Sequence, residues 1–110
     1  MIQATKLPIT NGENSQGFDL SVQYSTLIYF VGDQATCAVQ IVTDATTSVV
    51  SVQRSLDGQT RVDIDPAVTP ITGAGMTDTI DCTGFMYLHV TVTTAQASKM
   101  ANVFAYGKSG

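Results

Sequence analysis

The chain has one histidine, His89, and it is the first residue to consider for catalysis. A general base needs a positioned partner and a cleft, and a nucleophilic serine or cysteine needs such a base within hydrogen-bond reach. His89 lies instead in the middle of an alternating run, on a face shared with threonine and tyrosine, which favours a structural or interface role. Cys37 or Cys82 acting as a nucleophile would have to recruit this same histidine. We therefore expect no catalytic residue and no enzymatic activity.

Carboxylates are the second group of side chains that could do chemistry. Asp63 and Asp65 are two residues apart, so a strand would point both to one face, and Asp57 precedes them at a turn. Oxygen-rich clusters at loop ends bind Ca²⁺, but acidic residues also blunt the edges of sheets against aggregation. We favour solvated turn and edge residues and expect no metal or cofactor. Calcium at Asp57, Asp63 and Asp65 stays open, and Asp78 and Asp81 form a further pair of the same kind.

Cys37 and Cys82 are the two cysteines of the chain. The opening residues lack a basic segment followed by an apolar stretch, so we expect no signal peptide and synthesis in the cytoplasm. Cytoplasmic thiols stay reduced, and we therefore favour small, buried, free cysteines. A disulfide remains the alternative if the two strands lie side by side. One histidine and two widely spaced cysteines lack the spacing of a zinc site.

Charge and hydropathy exclude further classes of function. The net charge is −4, and the five basic residues are scattered, namely Lys6, Arg54, Arg61, Lys99 and Lys108. Such a chain gains little from counterion release, so we expect no binding to nucleic acid. No apolar run approaches the length of about 18 residues needed to span a bilayer, so we expect no membrane partner. Charged residues make up only 13% of the chain, and a surface of this kind loses little side-chain entropy when it packs against a neighbour.

The elements that would position these residues are strands. Sixteen threonines and twelve valines favour strand, and apolar residues nowhere recur with helical spacing. The predicted strands are 18–23, 27–31, 36–42, 50–55, 60–65, 76–82, 85–94 and 100–106. About eight strands separated by turn residues predict one antiparallel β-sandwich, of jelly-roll or immunoglobulin-like type. We expect the sandwich over 18–110, preceded by an extended N-terminal arm over 1–17.

The clearest local signal is a hairpin over residues 50–64. Asp57-Gly58 provides the residues that a tight hairpin turn requires. The returning strand would place Val62 and Ile64 inward, on the same side as Val50 and Val52.

This hairpin also carries a resemblance. The segment 53–63 is similar to the Q-x-S-x-D-G-x-x-W-x-D hairpin of small β-sandwich virion proteins of tailed phages. Its residues are Gln53-Arg54-Ser55-Leu56-Asp57-Gly58-Gln59-Thr60-Arg61-Val62-Asp63. A later glycine–aromatic strand, like the one that follows Gly84, and a final short strand complete the domain, so the resemblance covers roughly residues 18–106. Arg61 stands where the pattern has tryptophan. Discoidin-like galactose-binding domains share the S-x-D-G-x-x-W hairpin.

The resemblance implies a non-enzymatic structural protein of a phage particle. The expected role is a capsid decoration (cement) protein that binds the major capsid protein and copies of itself as a homotrimer. The protein would be made in the host cytoplasm and reside in the virion. The alternatives are a tail or head-fibre component, or a discoidin-like module that binds a carbohydrate or another ligand.

Overall fold

A computed structural model describes residues 4–8, 13–31, 35–57, 59–64 and 68–108. All regular structure in these residues is strand, and they contain no helix able to cross a membrane. The ten strands are β1 (Ala4–Pro8), β2 (Glu13–Asp19), β3 (Thr26–Phe30), β4 (Thr36–Val42), β5 (Val49–Ser55), β6 (Ile71–Thr72), β7 (Gly75–Met76), β8 (Ile80–Asp81), β9 (Tyr87–Thr94) and β10 (Met100–Lys108). The all-β prediction is confirmed.

The strands form two sheets that enclose the core. The first sheet has the order β1-β3-β9-β5-β6, and the second has the order β2-β10-β4-β7, with β8 also paired to β4. Every pair is antiparallel except β1 with β3. Alternate residues of the long strands meet between the sheets, including Leu88 and Val90 of β9 and Val39 and Ile41 of β4, each 1% exposed or less. The antiparallel sandwich prediction is thereby confirmed.

The segment assigned to an N-terminal arm contributes to both sheets. β1 lies at the edge of the first sheet, where Ala4 pairs with Thr26. β2 lies at the edge of the second sheet beside β10, and it crosses the expected boundary at Gly17. The division into an arm and a domain at this residue stays a prediction.

The expected hairpin is only partly formed. A two-residue turn at Asp57-Gly58 would pair Arg54 with Arg61, but the structure pairs Arg54 with Val62 in an isolated bridge. The register is shifted by one residue, and because such a slip exchanges the faces of a strand, it puts Val62 on the side of Arg54 and Arg61 on the opposite side. Val62 is nevertheless 46% exposed, so the expectation that it lies in the core was wrong, whereas Ile64 is buried as expected. Gly58 lies outside the described residues.

The physical reason lies in the turn and in the neighbour of β5. The Asp57 carboxylate accepts hydrogen bonds from the backbone N–H groups of Gln59 and Thr60, at 2.8 and 2.7 Å, which widens the loop. The start of β5 pairs with β6 instead, through Val49 and Val50. The returning segment therefore meets β5 only at its end.

The predicted strand 76–82 is divided into β7 and β8. Thr77 causes the break, because its backbone N–H donates to the Val39 carbonyl while its side-chain Oγ1 accepts the Val39 N–H at 3.0 Å. A hydroxyl thus replaces the carbonyl of a regular ladder at this position.

The expectation of free cysteines was wrong. The structure joins Cys37 and Cys82 in a disulfide, with 6.4 Å between their Cα atoms. β8 pairs with β4 so that Ile80 lies opposite Cys37, and this pairing brings Cys82 alongside. Sequence alone did not reveal that neighbour.

Candidate functional site

The outward side of the first sheet is covered rather than open to solvent. Alternation on β9 assigned His89 and Thr91 to the face away from the core, yet they are only 1% and 3% exposed. Thr26 of β3 and Ser55 of β5, which belong to the same face, are also buried. This face therefore contains a layer of buried polar groups.

His89 and Ser55 form the chemically most suggestive contact in this layer. The Ser55 Oγ and His89 Nε2 atoms are 2.6 Å apart, a distance typical of a nucleophile and its base. Both side chains are almost completely buried, at 0% and 1% exposure, so a substrate has no access to them in this structure. The pair links β5 to β9 within the first sheet.

Arg61 lies over the same layer. Its Nη1 donates to the Thr91 Oγ1 and its Nη2 to the Thr26 Oγ1, each at 3.3 Å, and the two hydroxyls are 3.2 Å from each other. The segment that returns from Asp57 carries this half-buried guanidinium. Arg61 thus covers the polar layer from the position that tryptophan has in the resembling hairpin.

A groove of about 290 Å³ opens beside β5 on this side of the sandwich. Ser51 and Gln53 of β5 and Thr93 of β9 contribute its polar surface. Val52 of β5 and Ile64, Val68 and Pro70, which precede β6, contribute apolar surface.

Asp63 is the acidic residue of this groove. Its Oδ1 accepts a hydrogen bond from the Gln53 Nε2 at 2.9 Å, which holds the carboxylate against the groove. The expected partner Asp65 lies outside the described residues, so their common face is untested.

Asp57 and Asp81 are used in local turns. Hydrogen bonds from the backbone N–H groups of Gln59 and Thr60 lower the pKa of Asp57 from 3.8 to about 2. The backbone N–H of Thr83 likewise lowers the pKa of Asp81. Within the described ranges, no three histidine, cysteine or acidic side chains come together as a group that could hold a metal ion.

An exposed apolar region, here called the apolar end, lies where β3 and β5 finish and β9 begins. It comprises Phe30, Leu56, Met86 and Tyr87. The rings of Phe30 and Tyr87 make an edge-to-face contact with their centroids 5.8 Å apart. The Met86 backbone bonds to Val31 and Ser55, the chain neighbours of Phe30 and Leu56, so these residues lie at the same end of the sheet. Phe30, Leu56 and Met86 are 42%, 63% and 37% exposed.

Sequence reasoning missed both the groove and the apolar end. The alternation pattern showed only that Phe30 and Tyr87 belong to strands, and it gave no sign of which strands share an end. One signal for the buried polar layer was present, since an arginine at the tryptophan position indicates a polar surface beneath that residue.

No family model and no curated protein matches the chain. Among solved structures, the chain is similar to the SPBc2 prophage-derived protein YomS, with a TM-score of 0.65 and 12% identity over 91% of this chain and 97% of YomS. It is also similar to the pre-peptidase C-terminal domain of collagenase from Bacillus anthracis, with a TM-score of 0.57 and 8% identity over 96% of each chain. These similarities show that the chain shares its overall fold with both proteins.

Proposed function

We propose that this chain is a non-enzymatic structural protein of a phage particle and that it serves as a capsid decoration protein. In this role it binds the major capsid protein and further copies of itself, as a trimer, and resides in the virion. The apolar end is the observation that carries the proposal.

The apolar end has the properties of a subunit contact. Single exposed apolar side chains are normal, but contiguous exposed apolar surface marks sites of interaction. Phe30, Leu56, Met86 and Tyr87 gather at one end of the first sheet, and none of them is charged. Aromatic residues and methionine are enriched where proteins meet, and aromatic rings bury large areas for only two rotatable bonds.

Two further observations support the proposal. The fold is similar to that of a protein whose name describes it as prophage-derived, which favours a phage origin. The serine–histidine pair that could act as nucleophile and base is buried and spans two core strands, which favours a structural role.

The test compares two equally exposed apolar residues. Leu56 belongs to the apolar end and is 63% exposed, whereas Met76 lies on the second sheet and is 64% exposed. Leu56→Gln and Met76→Gln should leave stability nearly unchanged, because exposed substitutions cost within about 0.5 kcal/mol. Co-sedimentation with phage shells that lack the protein measures binding, and light scattering measures the oligomeric state.

We expect Leu56→Gln to weaken shell binding at least about fivefold, as the loss of one partly buried leucine predicts, while Met76→Gln binds normally. A wild-type chain that stays monomeric and ignores the shells would overturn the proposal. Equal effects of the two substitutions on shell binding would show that the apolar end is not the contact surface. Binding to tails or head fibres instead of shells would assign the chain to that part of the particle.

A further inference from the structure

The groove beside β5 has the size of a site for one side chain. Pockets for drug-sized ligands span about 300–1,000 Å³, and this groove reaches about 290 Å³. The groove therefore lies at the lower end of this range and has room for a single long side chain of a partner.

The charge of the groove selects the sign of that group. Asp63 is the ionisable residue in the lining, and the chain as a whole carries a net charge of −4. The cationic side chains that the structure describes have other partners: Lys99 pairs with Asp44, and Arg54 donates to the Asp81 carbonyl. Arg61, two residues before Asp63, is held on the hydroxyls of Thr26 and Thr91.

The rest of the lining selects a group that is long, apolar along its stem and cationic at its tip. Val68 and Pro70 offer apolar surface to the groove, together with the buried Ile64. Gln53 donates its amide to Asp63, and Thr93 donates its hydroxyl to the Val49 carbonyl, so both keep an oxygen that can accept a further hydrogen bond. Lysine buries its methylene stem along apolar surface while its ammonium reaches polar groups.

Lysine suits the site better than arginine. Arginine binds carboxylates most strongly through two parallel hydrogen bonds, one to each oxygen. The compact ammonium of lysine needs no such fixed fork, so it can share the carboxylate with the Gln53 amide that already donates to Oδ1.

We infer that the groove formed by Ser51, Gln53, Asp63, Ile64, Val68 and Thr93 binds a lysine side chain of a partner protein. The identification of that partner with the capsid shell rests on the proposed function, whereas the chemistry of the groove does not.

The experiment titrates the intact chain with Nα-acetyl-lysine methylamide and follows backbone amide shifts by NMR. Nα-acetyl-norleucine methylamide is the matched probe, because it has the same unbranched stem without the ammonium. We expect the lysine probe to shift the amides of Ser51, Gln53 and Asp63 with a dissociation constant on the order of a few millimolar. Asp63→Asn should weaken its binding about fivefold, as for a partly exposed ion pair, and Asp78→Asn, at an exposed aspartate elsewhere, should not.

Equal shifts with both probes, or equal binding by Asp63→Asn and wild type, would overturn the inference. Shell binding separates this outcome from the proposed function. A wild-type chain that binds shells but not the lysine probe would refute the groove alone. A chain that binds the probe but no shells would refute the capsid role alone.

Discussion

Removal of the disulfide between Cys37 and Cys82 should cost a large part of the stability of this domain. The cross-link closes a loop across a sequence separation of 45 residues. In the chain-entropy description, a loop of this length restricts the unfolded chain by about 13 cal/mol/K, which corresponds to about 4 kcal/mol at 25 °C. Small domains unfold with about 5–15 kcal/mol in total, so the loss would be severe.

The measurement is urea unfolding of the oxidised chain with and without a reductant, followed by circular dichroism. For a chain of 110 residues with the usual unfolding entropy, a loss of about 4 kcal/mol in stability corresponds to a fall of about 17 °C in the melting temperature. Cys37→Ala with Cys82→Ala should reproduce the loss without a reductant and add the cost of two small cavities. Two free thiols in the air-oxidised protein, or an unchanged unfolding midpoint on reduction, would refute the reasoning.

Three further predictions concern single side chains. Leu88→Ala should lower the free energy of unfolding in urea by about 2–5 kcal/mol, because Leu88 is 0% exposed; a loss below 1 kcal/mol would contradict its core position. Tyr24 has a φ of 68°, so Tyr24→Gly should be about 1 kcal/mol more stable in urea than Tyr24→Ala, and the reverse order would exclude backbone strain. The pKa of Asp57 is lowered from 3.8 to about 2, so its stabilising contribution is complete above pH 4 and is lost as the pH falls to about 2. Urea midpoints between pH 2 and 6 should therefore fall less steeply for Asp57→Ala than for wild type, and parallel curves would count against this role.

Much of the local structure could be predicted from alternation. The strand predicted at residues 36–42 coincides with β4, and Cys37, Val39 and Ile41 are buried as expected. In a strand with one face toward the core, apolar residues recur at every second position, because successive side chains point to opposite faces of the sheet. The pattern therefore shows directly which residues face the other sheet.

The site was less predictable, since alternation reports only one buried face. His89 and Thr91 were placed correctly on the face away from the core, but their burial beneath Arg61 depends on a segment about thirty residues earlier in the chain. The predicted register of the hairpin was wrong, because the hydrogen bonds of the Asp57 carboxylate and the pairing of β6 with β5 outweigh the preference of Asp57-Gly58 for a two-residue turn.

By itself, the sequence determined the all-β class and the positions of the longer strands β3, β4, β5, β9 and β10, because these follow from β-branched composition and a period of two. The tertiary structure alone decided which strands are neighbours, and from that came the disulfide, the buried polar layer, the groove at Asp63 and the apolar end. Each of these joins residues that are distant along the chain, so their formation depends on strand order and register rather than on any local pattern.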